Sequence, residues 1–93
     1  MVSLATAREW LRIDSTDNDT IIQGLLAAVP DYIEIATGLT PTDQAIEPLA
    51  DTVTKFLLTL WYNAEQAEAE RLQRTIDGLL KALTVKAREI AEV

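Results

Sequence analysis

Apolar residues recur at intervals of three and four along most of the chain, and this spacing is the strongest constraint on its fold. The interval places them on one side of an α-helix, whereas a half-buried strand needs strict alternation of apolar and polar residues. Leucine and alanine, both strong helix formers, supply 13 residues each. The sequence therefore predicts an all-α protein, a small bundle of about four helices with long second and third helices and a C-terminal amphipathic helix.

A short first helix is predicted near the start of the chain. Ser3 is suited to cap its first turn, because a serine side chain can accept a hydrogen bond from a free backbone N–H. Its apolar side consists of Leu4, Ala7, Trp10 and Leu11. We expect this helix to end near Arg12 or Ile13, before an acidic turn.

A long second helix is predicted from Asn18 to Thr37. Asp17 or Asn18 is suited to cap its start, and Gly38 is suited to end it because glycine readily adopts the left-handed conformation. Its apolar side consists of Ile21, Ile22, Leu25, Leu26, Ala28, Val29, Tyr32, Ile33, Ile35 and Ala36. Pro30 interrupts the middle and removes one backbone hydrogen bond. The pattern favours either a helix bent over a core or two shorter helices that meet near Val29.

A third helix is predicted to begin at Pro48, after a loop at Leu39–Gln44. Its apolar stripe consists of Ile46, Leu49, Val53, Phe56, Leu57, Leu60, Trp61 and Ala64. Leu58 and Tyr62 project from nearly the opposite side, so we expect this helix to bury two faces. The second face is suited either to a subunit contact or to packing within the monomer.

The polar stretch Glu65–Arg74 is rich in helix formers and has two interpretations. It either extends the third helix into solvent or connects that helix to the last one. The last helix is amphipathic, and its apolar positions are Ile76, Leu79, Leu80, Leu83, Ala87 and Ile90.

The length of 93 residues favours one domain that spans residues 1–93. A chain of this size buries only about 60 to 65% of the surface that its unfolded form exposes, so self-association is a common way to complete its stability. The chain contains no cysteine and no histidine, which excludes disulfides, thiolate sites and the commonest zinc ligand.

The formal net charge of −7 arises mainly in the first half of the chain. Residues 1–47 contain 2 basic and 8 acidic residues, whereas residues 48–93 contain 6 and 7. This balance argues against a basic surface that grips nucleic acid. No apolar run has the length of a membrane span, and the start lacks the apolar core of a signal peptide. We therefore expect a soluble protein made in the cytoplasm.

Two acidic clusters are the candidates for a chemical site. The first is Asp14, Asp17 and Asp19; the second is Glu65, Glu68 and Glu70. The first cluster lacks the spacing of a calcium loop, and helix capping is the favoured interpretation. The second has no nucleophile or base beside it and is interpreted as a solvated helix face. The sequence predicts no catalytic, cofactor-binding or metal-binding residues, and hence no enzyme.

Three sequence features in the first half resemble those of a known family. They are Ala7-Arg8-Glu9-Trp10-Leu11-Arg12-Ile13-Asp14, the turn Asp17-Asn18-Asp19, and the helix end Asp31-Tyr32-Ile33-Glu34-Ile35-Ala36-Thr37-Gly38. Residues Leu4 to Gly38 resemble the head-tail connector family of tailed double-stranded-DNA phages, also called head-completion or DNA-packaging proteins. Trp61-Tyr62-Asn63 resembles the end of the next helix in that family. Family members often carry a Pro-aromatic-Gly turn before the last helix, where this chain has Ile76-Asp77-Gly78.

The resemblance implies a structural role without catalysis or cofactors. It implies subunits that assemble into a ring, commonly of about twelve copies, with a different surface of each subunit meeting its neighbour. The ring would lie beneath the portal protein at the head-tail junction of the virion, with tail-side completion or stopper proteins docked below it. Assembly would take place in the host cytoplasm. Double-stranded DNA would pass through the channel as cargo, and an acidic channel wall would repel the phosphates and prevent the DNA from binding to it.

Within such a ring, five residues are our candidates for contacts between neighbouring subunits. They are Leu58, Tyr62, Leu79, Leu80 and Leu83. The alternative is that these residues close the monomer core around the last helix. A different function also stays open: a small acidic helical regulatory or adaptor protein, such as one derived from a prophage, that binds a single host protein.

Overall fold

The computed structural model describes residues 2–63 and 65–91, which form five α-helices and no strand. They are α1 (Leu4–Leu11), α2 (Asp19–Thr37), α3 (Pro41–Gln44), α4 (Pro48–Asn63) and α5 (Gln66–Ala91). The all-α prediction is confirmed, and α1, α2, α4 and α5 correspond to the four predicted helices. The longest of these helices is α5, with 26 residues.

Local capping residues fix the ends of α1 and α2. The Ser3 hydroxyl accepts a hydrogen bond from the backbone N–H of Thr6 at 3.2 Å, as predicted. Arg12 ends α1 in the left-handed conformation, with φ of 58°. Gly38 ends α2 with φ of 84°, and its N–H donates to the Glu34 carbonyl at 2.7 Å. The predicted ends of both helices are confirmed.

Pro30 does not divide α2, which is continuous from Asp19 to Thr37. The alternative of two shorter helices is therefore wrong. Because proline has no N–H, the Leu26 carbonyl loses its usual partner within the helix. The side chain of Gln44 bonds to the backbone nearby, where its amide donates to the carbonyls of Pro30 at 3.0 Å and Leu39 at 2.9 Å.

The predicted loop at Leu39–Gln44 is partly helical, because Pro41–Gln44 forms the one-turn helix α3. Thr40 caps this turn by accepting a hydrogen bond from the N–H of Asp43 at 3.2 Å. Pro41 takes the first helical position, where its fixed φ is suitable and no N–H is needed. A threonine cap followed by proline is a helix start that the sequence analysis missed.

Two further boundaries differ from prediction. Ile46 lies before α4 rather than in its apolar stripe, and its side chain is 80% exposed. Ala64, also assigned to that stripe, is outside the described residues. The stretch from Gln66 to Arg74 forms the first turns of α5 and is neither an extension of α4 nor a connector. Ile76-Asp77-Gly78 then continues the same helix.

α4 lies at the centre of the packing and contacts each of the other four helices. Its buried residues are Ala50, Val53, Thr54, Leu57 and Leu58. These positions form one continuous arc of about 140° around the helix. The arc includes Leu58 from the predicted second face, whereas Tyr62 from that face is half-buried. The molecule measures 44 × 28 × 18 Å. The outer sides of α2 and α5 are not covered by another helix, because Ile35 and Val85 are exposed there. Among the described residues, no helix combines the length and apolarity needed to cross a membrane.

Candidate subunit interface

Two of the five predicted interface residues belong to the interior of the subunit. The side chains of Leu58 on α4 and Leu83 on α5 have no exposed surface, and both join the same core cluster. The reason is the early start of α5, whose length lets it cover the second face of α4. Leu58 and Leu83 therefore close the monomer core, which was the alternative to a neighbour contact.

The other two leucines retain some surface. Leu79 and Leu80 are half-buried and pack against the core from the flanks of the buried stripe of α5. Their exposed edges are the part of the predicted leucine set that a neighbouring subunit can reach.

Tyr62 has a contact within the subunit that the sequence analysis did not predict. Its hydroxyl accepts a hydrogen bond of 2.6 Å from the side-chain amide of Asn18. This bond joins the end of α4 to the start of α2. Asn18 occupies the capping position of α2 as predicted, but its side chain makes no capping hydrogen bond. The remaining surface of the half-buried Tyr62 ring is still available to a neighbour.

Further exposed apolar side chains lie on the outer side of α2. Ile21 is 57% exposed and Ile35 is 87% exposed, although both belong to the predicted apolar half of this helix. Positions three, four and seven apart share one side of a helix. On this basis we define the α2 outer face as the exposed residues Ile21, Gly24, Ala28, Asp31 and Ile35.

The outer side of α5 has a comparable surface. Val85 is 53% exposed and points away from the buried Ile76 and Leu83. We define the α5 outer face as the exposed residues Arg71, Arg74, Gly78, Ala82 and Val85. Its centre consists of small and aliphatic residues, and its N-terminal end carries two arginines.

The two outer faces lie in segments of opposite charge. Residues 13–54, which include all of α2, contain eight acidic residues and no lysine or arginine. Residues 71–88 of α5 contain five basic residues and only Asp77 as an acid. An ion pair joins the two segments within a subunit, between Lys86 Nζ and Glu47 Oε2 at 3.6 Å. The side chain of Asp31 makes no hydrogen bond or ion pair within the described residues, and neither does the side chain of Arg74.

The predicted acidic clusters form no cation site in the described part of the chain. Asp14 and Asp17 are exposed, while Asp19 approaches Arg8, with 3.7 Å between Asp19 Oδ1 and Arg8 Nε. Residues 2–63 and 65–91 contain no group of three or more acidic side chains placed to hold a metal ion. In the second cluster, Glu65, Glu68 and Glu70 are exposed to solvent.

One small cavity lies where α2, α3 and α4 meet. Its volume is about 30 Å³, and its lining includes Leu26, Pro30, Gln44 and Thr54. This is room for about one water molecule. The cavity is too small for an organic substrate.

Comparison with known proteins identifies a family. Residues 1–92 match the family model described as Phage gp6-like head-tail connector protein. No curated protein and no solved structure matches the chain.

Proposed function

The chain belongs to the Phage gp6-like head-tail connector family, and from this premise we propose that its subunits form a ring between the portal protein and the tail. Family membership makes it a structural component of a phage virion. The ring, of about twelve copies, would join the portal to tail-side completion or stopper proteins, and genome DNA would pass through its channel. Subunits would assemble in the host cytoplasm and remain at the head-tail junction of the finished virion.

The observation that carries this proposal is the family match over almost the entire chain. The exposed apolar residues on α2 and α5 support it, because two different association surfaces on one subunit permit head-to-tail contacts. Such contacts close into a ring when the rotation between neighbouring subunits allows.

The charge distribution supports the passage of DNA. Residues 13–54 would present only negative or neutral groups to a phosphate backbone, so DNA would slide past without binding. Reversing the charges of exposed acids such as Asp14 and Asp17 should change DNA retention in assembled particles if these residues line the channel. Unchanged retention for every exposed acid would contradict an acidic channel wall.

The exposed edges of Tyr62, Leu79 and Leu80 are proposed to contact a neighbouring subunit, with Leu58 and Leu83 supporting them from the core. Replacing Tyr62 with Asp should weaken assembly while circular dichroism shows preserved helicity. An intact ring of the Tyr62→Asp protein would overturn the assignment of Tyr62 to the contact.

The native mass of the purified protein tests the ring most simply. Native mass spectrometry over a range of concentrations, alone and with the portal protein, should reveal closed species of about a dozen subunits, and electron microscopy should show them as rings. A compact dimer that does not bind the portal would contradict the proposal and favour the adaptor alternative.

A further inference from the structure

Ile21 and Ile35 on the α2 outer face are largely exposed, and so is Val85 on the α5 outer face. Isolated exposed aliphatic residues are ordinary, but these lie in register along their helices. Ile21, Ala28 and Ile35 are spaced by seven residues, as are Arg71, Gly78 and Val85. This is the spacing of a seam along which a second helix can pack.

Each face also contains a mid-helix glycine that the subunit does not require. A Cβ atom added to Gly24 or Gly78 would meet nothing within 4 Å, and neither residue has a positive φ. Glycine destabilises a helix interior relative to alanine, and no steric requirement within the subunit accounts for glycine at these two positions. Close approach of a second helix would account for it, because the distance between packed helices depends on the side chains at the contact.

The charges of the two faces are complementary. The α2 outer face carries Asp31, with Glu34 beside it, and the α5 outer face carries Arg71 and Arg74. Opposite charges at the edge of an apolar contact fix register and exclude wrong partners. The residues that define the α2 outer face include no base, and those that define the α5 outer face include no acid, so a contact between two copies of the same face would form no ion pair.

We infer that the α2 outer face of one subunit packs in antiparallel orientation against the α5 outer face of a second copy of the chain, a contact that rests on the proposed ring. Placing Ala28 opposite Gly78 aligns the rest of the two faces. Ile21 then lies opposite Val85, Gly24 opposite Ala82, Ile35 opposite Arg71, and Asp31 within one residue of Arg74. The aliphatic stem of Arg71 can cover Ile35 while its guanidinium reaches Glu34.

The parallel orientation gives a poorer match in charge. With Ala28 opposite Gly78 in that orientation, Ile35 would lie opposite Val85 and Asp31 opposite Lys81. Ile21 and Gly24 would then lie opposite Arg71 and Arg74, which would have no acidic partner on the α2 outer face. Antiparallel packing also places the ends of opposite helix dipoles side by side.

A contact between two different faces has a consequence for assembly. Each subunit offers one α2 outer face and one α5 outer face, so every contact leaves one of each free. Association of this kind closes into a ring when the rotation between subunits allows. The inferred contact is therefore of the kind that the proposed ring needs, and the proposed contact of Tyr62, Leu79 and Leu80 would add to it.

A charge exchange tests the contact. Asp31→Arg and Arg74→Asp should each lower the association constant about tenfold or more, because each creates a like-charge pair. The double variant restores opposite charges and should recover the association constant to within about threefold. Glu9→Arg is the matched control, since Glu9 is exposed on α1 and undergoes the same charge change. Sedimentation equilibrium, alone and with the portal protein, measures the association of these four variants and of the unmodified chain.

Gly78→Leu is the steric counterpart of the charge exchange. The added side chain enters open space in the subunit, so helicity should be preserved while association falls about tenfold or more. Ala5→Leu, on the exposed side of α1, adds the same kind of bulk away from both outer faces and should leave association unchanged.

The possible outcomes separate the contact from the ring. If the unmodified chain associates but the charge variants and Gly78→Leu do not weaken it, or if the double variant fails to recover, the α2–α5 contact is wrong and the ring stands. If the unmodified chain remains monomeric both alone and with the portal protein, the proposed function fails and the contact fails with it.

Discussion

The inner and outer sides of α5 differ in the size of their apolar residues. The inner side carries Ile76 and Leu83, which are completely buried. The outer side combines Gly78, Ala82 and the half-exposed Val85 with arginines. Large branched residues fill a core, whereas small residues let another backbone come close. The inner side therefore stabilises the subunit, and the outer side is the one that we infer to contact a second subunit.

The largest expected effect comes from the inner side. Leu58→Ala or Leu83→Ala should lower the free energy of unfolding by about 2 to 5 kcal/mol, because each leaves a cavity in a closed core. Urea unfolding at a concentration where the protein is monomeric measures this loss. A loss below about 1 kcal/mol, together with failed assembly, would show that these leucines serve the interface instead.

Substitutions at Gly38 and Gly78 should change the free energy of unfolding in opposite directions. Gly38→Ala should destabilise the subunit by about 1 to 2 kcal/mol, because φ of 84° is unfavourable for a residue with a Cβ. Gly78→Ala should stabilise it by about 0.5 to 1 kcal/mol, since the methyl group meets no atom and alanine favours the helix. Thermal unfolding of the two variants measures the direction of each change in stability. Destabilisation by Gly78→Ala would mean that the outer side of α5 packs within the subunit.

The hydrogen bond between Asn18 and Tyr62 should have a smaller effect. Tyr62→Phe should cost about 0.5 to 1.5 kcal/mol of unfolding free energy, the usual net value of one hydrogen bond. Tyr32→Phe is the control, because the Tyr32 hydroxyl makes no hydrogen bond within the described residues. A double-mutant cycle with Asn18→Ala should give a coupling energy close to the single loss. Zero coupling would contradict the bond.

The smallest effect on the subunit is expected on the α2 outer face. Ile35→Ser should change the free energy of unfolding by no more than about 0.5 kcal/mol, because the side chain is 87% exposed. The same substitution should weaken association, which sedimentation equilibrium detects. If Ile35→Ser unfolds the monomer, α2 has a packing partner within the subunit at this position.

The sequence was sufficient to predict features that depend on neighbouring residues. Ser3 and Gly38 mark helix ends through the backbone groups next to them, and the period of three and four residues sets the all-α class. Thr40 and Pro41 carry a similar local signal, so α3 was predictable in principle. The error there arose from interpreting proline and threonine as loop residues.

Features that depend on how helices pack were not predictable in the same way. Whether Leu58 is interior depends on the path of α5, and the polar stretch before Arg74 gave no sign that it begins this helix. The hydrogen bond between Asn18 and Tyr62 joins residues 44 positions apart, and no periodicity indicates it. The helical period placed Ile35 on the apolar side of α2, but only the packing of the helices shows that its side chain is largely exposed.

Cross-linking tests most directly the claim that the outer faces of α2 and α5 meet between subunits. The natural chain has no cysteine, so Ala28→Cys and Gly78→Cys introduce a defined pair into one chain. A disulfide forms only when the Cα atoms lie within about 7 Å. Mild oxidation of the double variant should produce a ladder of covalent multimers, whereas neither single variant should cross-link. Dimers from a single variant, or no ladder from a double variant that still assembles, would contradict the account.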